Sequence, residues 1–320
     1  MSLINTALAY ALPYAPKSLV WPFAKPYVAG ETVQDALKTV QHLNQQQSLA
    51  TIDYLGEFIS TAAEAEAALA EYQWLLEDIA LKGVRANISI KLSQLGLKQS
   101  PEACYQRLIT LLAHAHEPRA LIQGTQGTPE AQPAANFIRI DMEDASCTDE
   151  TLAIYRAARK HYNNLGIVLQ SRLRRTADDA QALLDEGIAN IRLCKGVYLE
   201  PRTRAYSDPA LIRENTIAIL EMLLKATPNS YVGIASHDET ILWHARRLIA
   251  QYQLQPHQVE FQMLLGVEPL LQQLIVQAGH KLRIYVPYGK HWHAYCMRRM
   301  RENPNLAGYV AKNWFQQFTR

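Results

Sequence analysis

From residue 50 to residue 286 the chain alternates between two hydrophobic periods. Runs with period two, as expected for strands with one buried face, fall at 50–54, 87–92, 137–142, 167–170, 188–194, 231–235, 259–264 and 282–286. Between them the apolar residues take helical spacing over 62–81, 102–116, 148–163, 177–185, 210–226, 240–253 and 268–277. Strands that alternate with helices pair in parallel through right-handed crossovers. Eight such units, with a closing helix from His291, predict a barrel. A helix over 32–47 precedes them, with Val33, Leu37, Val40 and Leu43 on one stripe. The expected organisation is an α/β fold, a (β/α)8 TIM-like barrel over 50–320 with an N-terminal helical extension over 1–49. Segment 117–135, rich in Gly, Pro and Gln, reads as a surface insertion.

The two faces of these strands differ. Ile88, Ile90 and Leu92 alternate with Asn87, Ser89, Lys91 and Ser93, and Ile138, Ile140 and Met142 alternate with Arg139, Asp141 and Glu143. In the last strand Leu282, Ile284 and Val286 stand against Arg283 and Tyr285. An open doubly wound sheet is covered by helices on both faces and is apolar on both. A polar face among helices fits a barrel whose outer face packs on helices and whose lumen carries polar groups. The lumen is expected to hold Lys91, Arg139, Asp141, Arg192, Glu260 and Arg283. Structural ion pairing explains Arg139 and Arg283 as well as a functional role does. Charges at strand ends point to chemistry, because catalytic groups in this fold sit at the C-terminal ends of strands.

Composition narrows the function classes. A net charge of +2 over 320 residues gives no support for nucleic-acid binding. The four cysteines, Cys104, Cys147, Cys194 and Cys296, are scattered without a C-x-x-C pair, as in a reducing compartment rather than a disulfide framework or zinc ribbon. The start, residues 1–30, lacks the charged-then-apolar pattern of a signal peptide, and no run approaches a membrane span in length. A cytoplasmic protein is expected, with peripheral membrane contact left open. No carboxylate joins His237, His291 or His293 in a metal set, so no metal is expected.

One stretch concentrates the candidate chemistry. Residues 190–201 begin as a strand carrying Arg192 and end in Lys195-Gly196-Val197-Tyr198, where Gly196 frees the backbone for a close approach. Buried cations are costly unless paired or set against an anion, so this strand reads as one wall of an anionic-ligand site. No G-x-G-x-x-G occurs, which closes the Rossmann route to a dinucleotide.

The strand-end motifs then fall in order: Leu55-Gly56-Glu57, Ser89-Ile90-Lys91, Arg139-Ile140-Asp141-Met142-Glu143, Val168-Leu169-Gln170 and Arg192-Leu193-Cys194-Lys195-Gly196-Val197-Tyr198. They are followed by Ala235-Ser236-His237-Asp238, Glu260 to Gly266, Arg283 to Pro287, and Tyr295-Cys296-Met297-Arg298-Arg299. Over roughly residues 50–305 this resembles the proline dehydrogenases, flavin-dependent barrel enzymes of proline catabolism. The resemblance implies FAD as cofactor, L-proline as substrate and pyrroline-5-carboxylate as product. It implies a substrate carboxylate held by Lys91, Arg298 and Arg299, a ring enclosed by Tyr198, Tyr285 and Tyr295, and Asp141 and Arg192 near the reaction centre. Flavin contacts are implied for Met142, Gln170, Arg192, Lys195, Gly196, Val197, Ser236 and His237. It also implies that electrons pass to a quinone or another acceptor.

On composition alone Arg298 and Arg299, about 100° apart on a helix, also fit a solvated basic face. Each tyrosine also fits a half-buried core position, and Asp141 could simply neutralise Arg192 or Lys91. Tyr295 favours proline over hydroxyproline, since relatives that oxidise hydroxyproline carry a smaller residue there. Ser171-Arg172 after Gln170 departs from the family's small-then-aromatic pair. The alternatives are a flavoenzyme for hydroxyproline or another cyclic imino acid, and a catalytically silent barrel acting as a binding module.

Overall fold

The computed structural model describes residues 17–56, 59–116 and 136–302; Glu57 and the expected insertion over 117–135 lie outside them. Two helices, α1 (Lys17–Ala24) and α2 (Val33–Gln45), precede β1 (Leu49–Tyr54) and α3 (Ala62–Lys82). Then come β2 (Ala86–Lys91), a 3-10 turn (Leu92–Leu95), α4 (Pro101–His116), β3 (Ile138–Asp141), α5 (Thr148–Arg159) and β4 (Leu165–Gln170). The order continues with α6 (Thr176–Asp185), β5 (Ala189–Cys194), α7 (Pro209–Lys225), β6 (Ser230–Ala235) and α8 (Glu239–Gln251). It closes with β7 (Val259–Leu264), α9 (Pro269–Gln277), β8 (Leu282–Tyr288) and α10 (Trp292–Glu302). The strands form a closed parallel barrel in sequence order, with β8 returning to β1 in the register Thr51 to Tyr285 and Asp53 to Pro287.

Local chemistry sets the helix ends. Thr32 with Asp35, and Thr61 with Glu64, form reciprocal capping boxes that start α2 and α3. The outward strand residues Ile52, Ile88, Ile90, Ile138, Ile140, Ile167, Ile191, Val232, Ile234, Phe261, Ile284 and Val286 are all at most 1% exposed. They pack under helix stripes such as Ala36, Leu37, Val40 and Leu43 of α2, which continues the barrel's apolar shell.

Three elements depart from the sequence expectation. Helix α1, inside the proline-rich start, is eight residues long and contains Pro22, so nothing in its own pattern announces it. Tertiary packing accounts for it: Val20 and Ala24 join Leu55, Trp292, Tyr295, Cys296 and Met297 in a second core under α10. Strand β8 continues past the expected end at 286 through Pro287, whose carbonyl accepts from Ala29 N at 2.9 Å. Helix α5 ends at Arg159 rather than 163, where the chain turns towards β4.

Candidate active site

Side chains two apart on each strand point into the lumen, and on β2 (Ser89, Lys91), β3 (Arg139, Asp141) and β7 (Glu260, Gln262) they are polar. At the floor Glu260, second on β7, takes Arg283 Nε at 2.7 Å and Nη2 at 3.1 Å. Burial would push the Glu260 carboxyl up, but Arg283 overrides it and brings it down to about 2. Arg139, second on β3, donates to the carbonyls of Asn190 (2.8 Å) and Ile167 (3.2 Å). Burial and nearby Arg192 push it down to about 9. It fits because its neighbour in register is Gly166: a Cβ there would collide with the guanidinium. Gly233 makes the same kind of room for Gln262. The floor is thus structural, one of the two readings that the sequence left open for Arg139 and Arg283.

Nearer the mouth the charges converge. Arg192, fourth on β5, donates from Nη1 to Asp141 Oδ1 at 2.7 Å and to Ser89 Oγ at 3.0 Å, while its Nε bonds Gln262. Gln262 in turn donates to Glu260 at 2.6 Å, which links mouth to floor. Tyr285 donates its hydroxyl to Asp141 Oδ2 at 2.7 Å, and the Arg192 guanidinium lies 5.3 Å from its ring centre. Burial beside Asp141 and Asp53 raises the Tyr285 hydroxyl well above the ordinary tyrosine range, so it is a donor at working pH. Lys91 ends β2 with its Nζ 2.7 Å from Asp53 and 3.7 Å from Asp141. Burial opposes its charge, but the two carboxylates outweigh burial and hold it above the usual lysine range.

Asp53 is absent from the sequence-derived site. Its signal was present, since Thr51 and Asp53 alternate with Ala50 and Ile52 on β1 as Ser89 and Lys91 do on β2. Gln262, two residues after Glu260 on β7, is likewise absent from that set.

A second group lines the rim over β4 to β6. Gln170, last on β4, donates to the carbonyls of Glu143 (2.7 Å) and Met142 (3.4 Å). Gly196 has φ +93°, and a Cβ on it would strike the Gln170 side chain and Arg172 Cδ. Its glycine character therefore lets the loop close over Gln170 rather than only over a ligand. Arg172, the departure noted in the sequence, bonds Lys195 O through its backbone N at 2.9 Å. Lys195 Nζ and Arg213 Nε meet Asp238 Oδ2 at 2.6 and 2.9 Å, so two cations share one carboxylate and the rim keeps a positive excess. Burial works against the Asp238 charge, and the two cations more than offset it to leave the carboxyl below its usual range. His237 Nε2 accepts from Leu264 N at 2.9 Å, which puts the proton of a neutral ring on Nδ1. Ser236 Oγ accepts from Asp238 N at 3.0 Å.

Of the remaining expected residues, Val197 and Tyr198 are half-buried on the loop after β5, and Tyr295 is buried on α10 in the second core. Arg298 and Arg299 fall on α10, and their side chains lie outside the described residues. Among the described residues no group of three His, Cys, Asp or Glu could hold a metal ion.

A closed (β/α)8 barrel with an ionic lumen and convergent polar groups at the C-terminal ends of its strands defines the class: a barrel enzyme with its site at the mouth. Residues 36–312 match the sequence model described as "Proline dehydrogenase". The chain is 34% identical over 291 residues to proline dehydrogenase 1 of Bacillus subtilis, covering 90% of this chain and 89% of that one. It is 33% identical over 295 residues to the proline dehydrogenase of Deinococcus radiodurans, covering 92% and 90%. The chain belongs to the proline dehydrogenase family. Among solved structures, proline utilization A from Bdellovibrio bacteriovorus, inactivated by N-propargylglycine, superimposes with a TM-score of 0.80 at 23% identity. That match covers 90% of this chain and 33% of the other, and it concerns the fold.

Proposed function

We propose that this protein oxidises L-proline to pyrroline-5-carboxylate with FAD as its cofactor. The observation that carries the reading is the convergence of three groups on Asp141 at the mouth of the barrel: Arg192 and Tyr285 each bond it at 2.7 Å, and the Lys91 ammonium lies 3.7 Å away. FAD, when bound, supplies the acceptor for the hydride that leaves the ring carbon next to the proline nitrogen. The rim suits such a group. Its excess cation, from Lys195 and Arg213 on Asp238, matches a pyrophosphate, the donors of Arg192, Ser236 and His237 match a ring edge rich in acceptors, and the Gln170 amide, its N–H groups used on Met142 and Glu143, offers its oxygen.

In this reading Lys91, Arg298 and Arg299 hold the substrate carboxylate, and Tyr198, Tyr285 and Tyr295 enclose the pyrrolidine body. Asp141 orients Tyr285 and Arg192 and keeps both from wandering towards solvent. Arg192 keeps a fixed positive charge beside the reacting ring system, with Met142, Gly196 and Val197 completing the wall. In the same reading residues 1–49 are an N-terminal extension, electrons pass to a quinone or other acceptor, and the protein meets the membrane peripherally from the cytoplasm. No helix among the described residues is long and apolar enough to cross a membrane.

The test is the visible spectrum of the purified protein. A yellow protein bleached by proline under anaerobic conditions, and bleached much more slowly by hydroxyproline, supports the reading. A colourless protein that does not take up FAD, or one bleached only by another cyclic amine, overturns it.

A further inference from the structure

We propose that Asp53 is a positioning residue of this site: it fixes the Lys91 ammonium at the barrel mouth, with donors left over for an anionic ligand. The inference rests on the reading of Lys91 as a carboxylate anchor. Asp53 Oδ1 lies 2.7 Å from Lys91 Nζ, and the two side chains are 1% and 8% exposed. Asp53 pairs in register with Ser89, one inward position below Lys91, so it meets the amine from the barrel wall rather than from the mouth.

The competition around Asp141 shows why this matters. Asp141 already accepts from Arg192 at 2.7 Å, Tyr285 at 2.7 Å and Ser89 at 2.8 Å, while Lys91 stands off at 3.7 Å. A buried ammonium seeks a carboxylate, and without Asp53 the nearest one is Asp141. Lys91 would then move onto Asp141 and displace the arginine or the tyrosine from it. With Asp53 in place, one of the three ammonium donors is used on the wall side and the others stay available at the mouth. Asp53 therefore keeps two cation–carboxylate pairs separate, Lys91 on Asp53 and Arg192 on Asp141.

The experiment compares Asp53→Asn, Lys91→Met and the double variant as FAD-loaded enzyme. Binding is measured by calorimetry with tetrahydrofuran-2-carboxylate, a ring carboxylate without the amine, and with its carboxamide. Losing one charge-assisted hydrogen bond weakens the carboxylate by on the order of tenfold or more. Asp53→Asn should weaken the carboxylate by that order and leave the carboxamide unchanged, and the double variant should match Lys91→Met. If Lys91→Met itself binds the carboxylate as the wild type does, the anchor reading fails, and this inference with it. If Lys91→Met binds weakly while Asp53→Asn is normal, the Asp53 inference alone fails. Should Asp53→Asn not fold, Lys91→Met and the double variant decide the matter: equal affinities support the inference, and a further loss in the double variant overturns it.

Discussion

Arg192 on β5 reaches past β4 to Asp141 on β3, and the two side chains meet at 2.7 Å inside the lumen. Because Tyr285 reaches the same carboxylate from β8, Asp141 gathers donors from strands on either side of it. Replacing Asp141 by Ala leaves the buried Arg192 guanidinium and the Tyr285 hydroxyl short of their acceptor. Breaking one partner of a buried pair costs roughly 3–5 kcal/mol, so urea denaturation should show a loss of that order. Proline turnover should fall by roughly a hundredfold or more, in line with the loss of an oriented charge at a reaction centre. Wild-type kcat/KM in Asp141→Ala would remove this residue from the mechanism.

The floor pair gives a pH signature. The Glu260 carboxyl is held at about 2 against an ordinary 4.5. A depressed carboxylate contributes stability above its unfolded value, and that stability is lost as pH falls through the folded one. The pair should therefore contribute roughly 3 kcal/mol at neutral pH, fading between about pH 4.5 and pH 2. Glu260→Gln should be less stable at pH 7, and its stability should decline less over that acid range. Parallel acid-denaturation curves for the two proteins would contradict the assignment.

Gly166 tests the glycine–arginine complementarity of the barrel floor. A methyl group there meets the Arg139 guanidinium, and overpacking of this kind costs typically about 1–3 kcal/mol. Gly166→Ala should lower the thermal midpoint. Combining it with Arg139→Met, which removes the forked head group, should recover part of the loss. Additive effects in the double variant would show that the two sites do not share space.

Trp21 joins the extension to the helix that bears Arg298 and Arg299. Its ring meets Trp292 at 4.8 Å, and the Trp292 indole donates to Glu31 at 2.9 Å. Trp21→Ala should loosen α10, raising KM for proline several-fold while flavin absorbance stays intact, because the proposed flavin contacts lie on the barrel strands and their loops. Trp21→Phe should restore most of the affinity. An unchanged KM would show that α10 keeps its place without α1.

The barrel was legible from the chain because its outer shell is periodic. Ile88, Ile90, Ile138 and Ile140 repeat every second residue, and burial against helices leaves such positions little choice. The same alternation exposed Lys91, Asp141 and Arg192 as inward charges. Helix α1 was not legible: its eight residues carry a proline and draw their stability from Trp292 and Leu55, far away in sequence. Proline at 287 likewise hid the last turn of β8, whose fate depends on the partner that Ala29 supplies.

The order of strands and helices, the polar character of the lumen and the residue types at each strand end were already written into the linear chain. Period and composition are local properties of the chain, so they survive without coordinates. The pairing came with the fold: Lys91 with Asp53, Arg192 with Asp141, Arg283 with Glu260, and Lys195 with Arg213 on Asp238. Those choices depend on the stagger of a closed barrel, which sets β1 beside β8 and lets side chains reach across the lumen. No stretch of chain contains that closure, and it turns a list of charges into a site.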